Sequence, residues 1–292
     1  MQLLSIVIPT KNEAKGLKII LPELRGLYPS SEIIVVNDGS TDETNKVAEL
    51  FDVNIINHPY SKGNGAAIKS GLRVAKGDVI VCMDADGQHL PRDIEKLLKK
   101  IDQGFDMVVG ARNKKGQANI GRGFANKLYN YFASWMVGHK VEDLTSGFRA
   151  VKSNKFREFL TLLPNKFSYP TTITMSFFRA GYSVGYVSVD VQSRLAGTQS
   201  HIRLWQDGIR FLLIIFKIGT LFSPLKLFFP ISLSFFITAV FYYAYTFIET
   251  GRFTNMSALL FTTSVIVFLM GLISEQITSL IYKETNSSSD KR

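Results

Sequence analysis

Val79-Ile80-Val81-Cys82-Met83-Asp84-Ala85-Asp86-Gly87-Gln88-His89 is the stretch that decides how this chain folds. Its apolar, β-branched start reads as a strand buried on both faces. Its end places two aspartates on either side of one small residue. Beyond the last pleat the side chains no longer alternate, so Asp84 and Asp86 can both reach a single hard cation. Mg²⁺ and Mn²⁺ favour oxygen ligands and bridge carboxylates to substrate phosphates. The plainer alternative is a pair of turn formers closing a buried strand.

Working outward, the same kind of apolar run recurs at Ile6-Val7-Ile8, Glu32 to Val36, Val53 to Ile56 and Met107-Val108-Val109. Helical segments from about Glu13 to Leu27, Ala66 to Ala75 and Arg92 to Ile101 separate these runs. Another helix is opened by Ser40-Thr41-Asp42-Glu43, whose hydroxyls can cap it while its acids suit the N-terminal dipole. Strands alternating with helices predict an α/β domain, a mostly parallel sheet covered on both faces. Ligands bind such sheets beyond the carboxyl ends of the strands. Pro9-Thr10-Lys11-Asn12-Glu13, Asn37-Asp38-Gly39-Ser40 and Asp84-Ala85-Asp86-Gly87-Gln88 all fall there. Lys62-Gly63-Asn64-Gly65 opens a helix as a backbone anion cradle would.

The 292 residues carry a formal charge of +10 and a single cysteine, Cys82. One cysteine inside an apolar strand excludes internal disulfides and fits a reducing compartment. The charge points to anionic partners such as phosphates or lipid headgroups. Nucleic acid is not expected, because there is no zinc spacing, no RNP-type aromatic pattern and no dense basic helix. No cleavable signal is expected, since Leu3 to Pro9 is short and runs straight into Lys11-Asn12-Glu13.

The C-terminal third has a different character. Segments 225–248 and 257–281 are almost wholly apolar, and each is long enough to cross a hydrocarbon core of roughly 30 Å. They predict a transmembrane hairpin joined by the polar Glu249 to Met256, with Tyr242, Tyr243 and Tyr245 as an interfacial belt. Lys217, Lys226, Lys283, Lys291 and Arg292 flank it, against Arg252 alone in the loop, so both outer ends are expected in the cytosol. Glu275 is either a functional ionisable group or a helix–helix hydrogen-bonding partner. Ile209 to Phe222, with Arg210 and Lys217 two turns apart, reads as an amphipathic interfacial helix. The expected organisation is a catalytic domain over 1–205, an amphipathic helix over 206–224, a hairpin over 225–283 and a cytosolic tail over 284–292.

Six motifs in order carry a family resemblance: Ile8-Pro9-Thr10-Lys11-Asn12-Glu13, Asn37-Asp38-Gly39-Ser40-Thr41-Asp42, Gly63-Asn64-Gly65-Ala66-Ala67, Asp84-Ala85-Asp86-Gly87-Gln88-His89, Gly110-Ala111-Arg112 and Asp143-Leu144-Thr145-Ser146-Gly147-Phe148-Arg149. Over roughly residues 3 to 200 the chain resembles the family 2 inverting glycosyltransferases of GT-A fold, in the branch of polyprenyl-phosphate sugar transferases. The resemblance implies transfer of a sugar from GDP-mannose or a UDP-hexose to a dolichyl or undecaprenyl phosphate, with Mg²⁺ or Mn²⁺. It implies donor binding by Pro9, Thr10, Asn12, Glu13, Asp38, Lys62, Asp84, Ala85, Asp86 and Arg194. It implies a metal held by Asp84, Asp86 and Gln88, and acceptor-phosphate binding by Arg112, Arg122, Ser146 and Arg149. Asp86, Arg122 and Arg194 would carry the catalysis. Lys11, Asn64, Gly121 and Ser200 depart from the usual Tyr, Lys, Ser and Lys; Lys62, Lys114, Lys115, His201 or Arg203 would supply the missing charge.

The partners implied are a nucleotide sugar, a polyprenyl phosphate and the bilayer, with self-association left open. The location implied is the cell membrane, multi-pass, or the endoplasmic reticulum in a eukaryote, with the catalytic domain cytosolic. Each feature also has a plainer reading: Asp38-Gly39-Ser40 as a turn, Arg112 and Arg122 as surface charges, Ser146-Gly147-Phe148 as a turn with core packing. His89 reads as a helix-entry residue, and His58 and His139 receive no role. Two other functions stay in view. One is a membrane glycosyltransferase with a polysaccharide or glycolipid hydroxyl acceptor, although Gln199 and Arg203-Leu204-Trp205 miss the Gln-x-x-Arg-Trp spacing of processive synthases. The other is a non-catalytic membrane scaffold.

Overall fold

The computed structural model describes residues 3–112, 120–165, 169–192, 216 and 219–289, with segments 120–126 and 281–289 described by backbone alone. The chain divides into two compact units, Met1–Trp135 with His139–His201, and Met136–Gly138 with Ile202–Arg292.

The first unit is built on one seven-stranded sheet. Its strands are β1 (Leu4–Thr10), β2 (Glu32–Asn37), β3 (Asn54–Asn57), β4 (Val79–Cys82), β5 (Met107–Arg112), β6 (Arg149–Lys152) and β7 (Val184–Val189), in the order β3-β2-β1-β4-β6-β5-β7. The expected mostly parallel α/β arrangement is present. Every pairing is parallel except those of β6, which runs antiparallel between β4 and β5. Alternate residues of one strand face opposite sides. Ile6, Ile8, Ile33, Val35, Val79 and Val81 therefore enter a core shared with Leu17, Ile20, Leu21 and Leu24 of α1 (Ala14–Leu27). Each of these aliphatic side chains contributes about 1.5–3 kcal/mol by leaving water.

On the other face α3 (Asn64–Val74) lies close to the sheet: a Cβ on Gly71 would meet Val7 Cγ1 at 2.4 Å. The remaining helices are α2 (Thr44–Glu49), α4 (Ile94–Asp102), α5 (Ile120–Val137), α6 (Ser153–Glu158) and α7 (Tyr169–Arg179). The chain runs outward through β1, β2 and β3, then returns to place β4 on the other side of β1. The carboxyl ends of β1 and β4 thus form a topological switch point, where open α/β sheets bind ligands.

In the second unit α8 (Pro224–Thr250) and α9 (Asn255–Ser289) are each long and apolar enough to cross a membrane. Gly251 ends α8 in the left-handed conformation, φ 63°, where a residue without Cβ avoids strain. Ser232 Oγ donates to Ser264 O (2.9 Å) and Ser264 Oγ donates to Ser232 O (3.0 Å), tying the two helices together. Glu275 Oε2 accepts the Leu225 N–H (3.3 Å), one of the orphan donors of the first turn of α8. The amphipathic segment expected over 206–224 falls outside the described residues except for 216 and 219–224.

Candidate active site

The carboxylate turn follows directly from β4. Met83 N donates to Val7 O (3.1 Å), so the ladder continues to Met83, and Asp84-Ala85-Asp86 leaves the sheet at the switch point. Gly87 takes φ 73° and Asp86 Oδ1 accepts the Gln88 N–H (3.1 Å), which closes the turn. Two glycines remote in sequence make room for it. A Cβ on Gly16 of α1 would meet Ala85 O at 1.8 Å, and one on Gly147 would meet Asp84 Oδ2 at 2.6 Å. Asp84, Asp86 and Gln88 are each half-buried.

The donor set of this turn is hard oxygen, and among the described residues no group of three or more His, Cys, Asp or Glu side chains surrounds one point. Two carboxylates and an amide fit a divalent ion that completes its shell with substrate phosphate and water. Burial pushes the Cys82 thiol up to about 12, so this neighbour is an inert core residue.

At the carboxyl ends of β1 and β2 the two loops are laced together. Asn12 N donates to Ser40 Oγ (3.0 Å), Thr41 N to Asn12 Oδ1 (2.8 Å) and Glu13 N to Thr44 Oγ1 (3.0 Å). Asn12 sits at φ 57°, a conformation Asn tolerates better than most residues and one that collects at functional loops. Ser40 and Thr41 therefore join loop to loop and do not cap α2. That helix begins at Thr44, whose N–H donates to Asp42 Oδ1 (3.0 Å).

The expected anion cradle at Lys62-Gly63 exists, but its anion is internal. Lys62 N and Gly63 N both donate to the Asp38 carboxylate (2.8 Å each), and Ala66 N donates to Asn165 O (2.8 Å). His58, given no role from sequence, is buried with Nδ1 2.7 Å from Asp38 Oδ1. Burial pushes the Asp38 carboxyl upward, yet the bonds from His58, Lys62, Gly63 and Ser61 outweigh it and hold it below the usual carboxylate range. No local signal marks His58, because its partner lies twenty residues away in another strand end.

The third wall is the segment 143–149. Arg112 grips Asp143 in a two-pronged pair, Nε–Oδ2 2.8 Å and Nη2–Oδ1 2.9 Å, and also donates to Thr145 Oγ1 (2.5 Å). Burial would raise the Asp143 carboxyl, but Arg112 holds it below its usual value; desolvation would lower the Arg112 guanidinium, but Asp143 raises it. Arg149 is fully buried. It donates to Pro170 O (3.0 Å), Thr174 Oγ1 (3.1 Å) and Ser146 O, while its Nε has no hydrogen-bond partner. Tyr169 Oη donates to Gly147 O (3.2 Å).

Arg149, expected at the acceptor phosphate, is thus a core residue that fastens the loop carrying Gly147 against Asp84. Ser146 is buried as well, and its Oγ has no hydrogen-bond partner. His89 stacks on Phe148 at 4.8 Å, and burial pushes its imidazole below the usual histidine value against the pull of Asp86.

Pro9 and Thr10 close β1, Ala85 is buried in the carboxylate turn, and Lys62 is exposed beside Asp38. Arg122 lies on α5, where only the backbone is described. Arg194 lies outside the described residues. Two residues before it, Gln192 N donates to Gln88 O (3.0 Å), and Gln88 Nε2 donates back to Gln192 O (3.5 Å).

Comparison with known proteins agrees with this geometry. The family model for glycosyl transferase family 2 matches residues 5–160, and that for the GtrB C-terminal hairpin matches residues 223–280. The polyprenol monophosphomannose synthase of Mycolicibacterium smegmatis is 30% identical over 207 residues, which cover 66% of this chain and 78% of that protein. The undecaprenyl-phosphate mannosyltransferase of Micrococcus luteus is 31% identical over 198 residues, covering 63% and 81%. Glucosyl-3-phosphoglycerate synthase from Mycobacterium tuberculosis, in complex with Mn²⁺, uridine diphosphate and glucosyl-3-phosphoglycerate, shares the fold. Its TM-score is 0.58 at 20% identity, with 73% of this chain and 80% of that one covered. A carboxylate turn at the switch point of this sheet, ordered motifs through the first unit and a matching C-terminal hairpin make the chain a glycosyltransferase, a member of glycosyl transferase family 2.

Proposed function

We propose that this protein transfers a glycosyl group from a nucleotide sugar to the phosphate of a membrane-borne polyprenyl monophosphate, inverting the anomeric centre. One observation carries the reading: a chain with the Asp84-Ala85-Asp86 turn at its sheet switch point also has two helices of membrane length. The relatives named for polyprenol and undecaprenyl phosphates add support.

In this reading Pro9, Thr10, Asn12, Glu13 and Lys62 hold the nucleoside, and Asp84, Ala85, Asp86, Gln88 and Arg194 face the diphosphate. Asp84, Asp86 and Gln88 would hold Mg²⁺ or Mn²⁺, which supplies positive charge against the leaving diphosphate when bound. Arg122 takes the acceptor phosphate, with Ser146 and the edge of Arg112, while Arg149 positions the loop. A phosphate monoester has a second pKa near 6 and is largely dianionic in the cytosol. One of its oxygens attacks the anomeric carbon, the bond from that carbon to the donor diphosphate breaks, and the nucleoside diphosphate leaves. No side chain has to remove a proton, as it would from a sugar hydroxyl. Arginine suits the task of holding such an acceptor, because its planar fork pairs with phosphate.

The test is to incubate the purified full-length protein with polyprenyl phosphate, Mg²⁺ or Mn²⁺ and a panel of UDP- and GDP-sugars. A glycosylated polyprenyl phosphate in the mass spectrum is expected. Transfer to a polysaccharide or glycolipid hydroxyl, with none to the lipid phosphate, would replace the reading by the hydroxyl-acceptor alternative.

A further inference from the structure

The Asp38 carboxylate has no acceptor capacity left for a ligand. Oδ1 takes His58 Nδ1 (2.7 Å) and Lys62 N (2.8 Å), and Oδ2 takes Ser61 Oγ (2.8 Å) and Gly63 N (2.8 Å). A carboxylate offers about four lone-pair directions, and all four are used. On its far side His58 Nε2 lies 2.9 Å from Ser70 Oγ in α3, and its own peptide N–H donates to Asn37 O (2.9 Å). Because the Asp38 carboxylate can only accept, Nδ1 is the nitrogen that donates to it, while Nε2 shares a hydrogen bond with the Ser70 hydroxyl. The loop is seated tightly as well, since a Cβ on Gly39, at φ 67°, would meet Ser61 N at 2.6 Å. Lys11 Nζ donates to Ser61 Oγ (3.1 Å), so a cation of the β1 loop reaches the same chain of bonds.

We propose that His58 is a positioning residue of the donor pocket. By orienting Asp38 it holds Ser61-Lys62-Gly63 in place, and Asp38 acts as the internal anion of that loop and not as a ligand to the nucleoside. The proposal rests on the donor reading given above. Its mechanism is a buried relay, Ser70 to His58 to Asp38 to the amides of Lys62 and Gly63, that keeps one wall of the pocket formed before the donor arrives. A pocket formed in advance spares the ordering cost on binding.

The experiment compares full-length wild type, His58→Ala, His58→Asn and Ser70→Ala in detergent. Amide hydrogen exchange over residues 58–66 is followed without any substrate, and kinetics are measured for each substrate separately. His58→Ala is expected to deprotect the Lys62 and Gly63 amides and to raise the donor KM about tenfold, the effect of one lost hydrogen bond, with acceptor KM within about twofold. His58→Asn, whose Nδ2 can donate where Nδ1 did, should recover most of the loss. If His58→Ala does not fold, Ser70→Ala carries the test, with the same pattern at smaller size. Unchanged protection, an unchanged donor KM, or equal shifts in both KM values would overturn the proposal. A wild type that glycosylates no polyprenyl phosphate would defeat the functional reading instead, and the exchange data would still decide the role of His58.

Discussion

In the proposed function Asp86 is the side chain on which the chemistry turns. It is half-buried at a strand end, so its removal takes little from the core. Asp86→Ala is expected to abolish transfer while the thermal transition stays within about 1 kcal/mol of wild type, as for a substitution outside the packed interior. Excess EDTA should silence the wild type in the same assay; turnover that persists in chelator would exclude the metal role. In the same proposal the arginines separate by substrate. Arg122→Ala should raise the KM for lipid phosphate roughly ten- to hundredfold, the worth of one charge-assisted contact, and leave the donor KM nearly unchanged. Arg194→Ala should do the reverse. Two glycines of α1 make a paired test of why small residues stand where they do. A Cβ at Gly16 collides with Ala85 O, whereas one at Gly26 meets nothing within 4 Å. Gly26→Ala should stabilise by about 0.5–1 kcal/mol through helix propensity. Gly16→Ala should displace the carboxylate turn, lowering both the melting temperature and turnover.

At the scale of the elements, β6 is the piece that assembles the third wall. Its residue Arg149 is registered opposite Cys82 of β4 and Val109 of β5, which puts the preceding Gly147 against Asp84. The far end of the sheet is stitched by Asp106. Its carboxylate takes Lys155 Nζ (2.7 Å), Lys152 Nζ (3.0 Å), Ser183 Oγ (2.9 Å) and Ser183 N (3.0 Å), joining β5, β6, α6 and the start of β7. Burial would raise this carboxyl, but Lys155, Ser183 and Lys152 hold it well below the usual carboxylate range. A depressed folded-state pKa contributes stability above the unfolded value and loses it as pH falls through the folded one. Asp106→Asn is therefore expected to cost about 1–3 kcal/mol at pH 7. The gap to wild type should be full above the usual carboxylate range and narrow progressively as pH falls below it. Melting curves of the two proteins between pH 3 and 7 would check both the size and the direction.

For the whole molecule the decisive question is which side of the bilayer each end occupies. From the basic residues at the outer flanks of the hairpin, and from the cytosolic supply of nucleotide sugars that the proposed function requires, we expect the catalytic unit and the tail on the cytosolic side and the loop between α8 and α9 outside. A cysteine at Ser289 should resist a membrane-impermeant thiol reagent in intact cells, and one at Thr254 should be labelled. Cys82 is buried and should stay silent. Labelling of Ser289→Cys from outside would replace the hairpin by a single-span or re-entrant arrangement.

The sequence by itself determined the alternation of β1 to β5 with their helices, the polar strand ends and the two apolar membrane-length segments. Each of these is a local matter: a run of β-branched residues, a helical period, a turn residue or an unbroken apolar stretch needs no distant partner to be recognised. The tertiary structure decided what those polar residues bind. Asp38 reads as an open ligand in sequence and is filled in the fold, because His58 and the Lys62-Gly63 amides come to it from the loop that follows β3. Arg149 reads as a phosphate-binding cation and is spent inside the core, because β6 inserts antiparallel between β4 and β5. Gly16 and Gly147 look like ordinary glycines until the packing of α1 and the 143–149 segment brings both against the carboxylate turn. Such pairings join residues far apart in the chain, and a hydrogen bond or a steric contact depends on distance in space, which strand order and register alone establish.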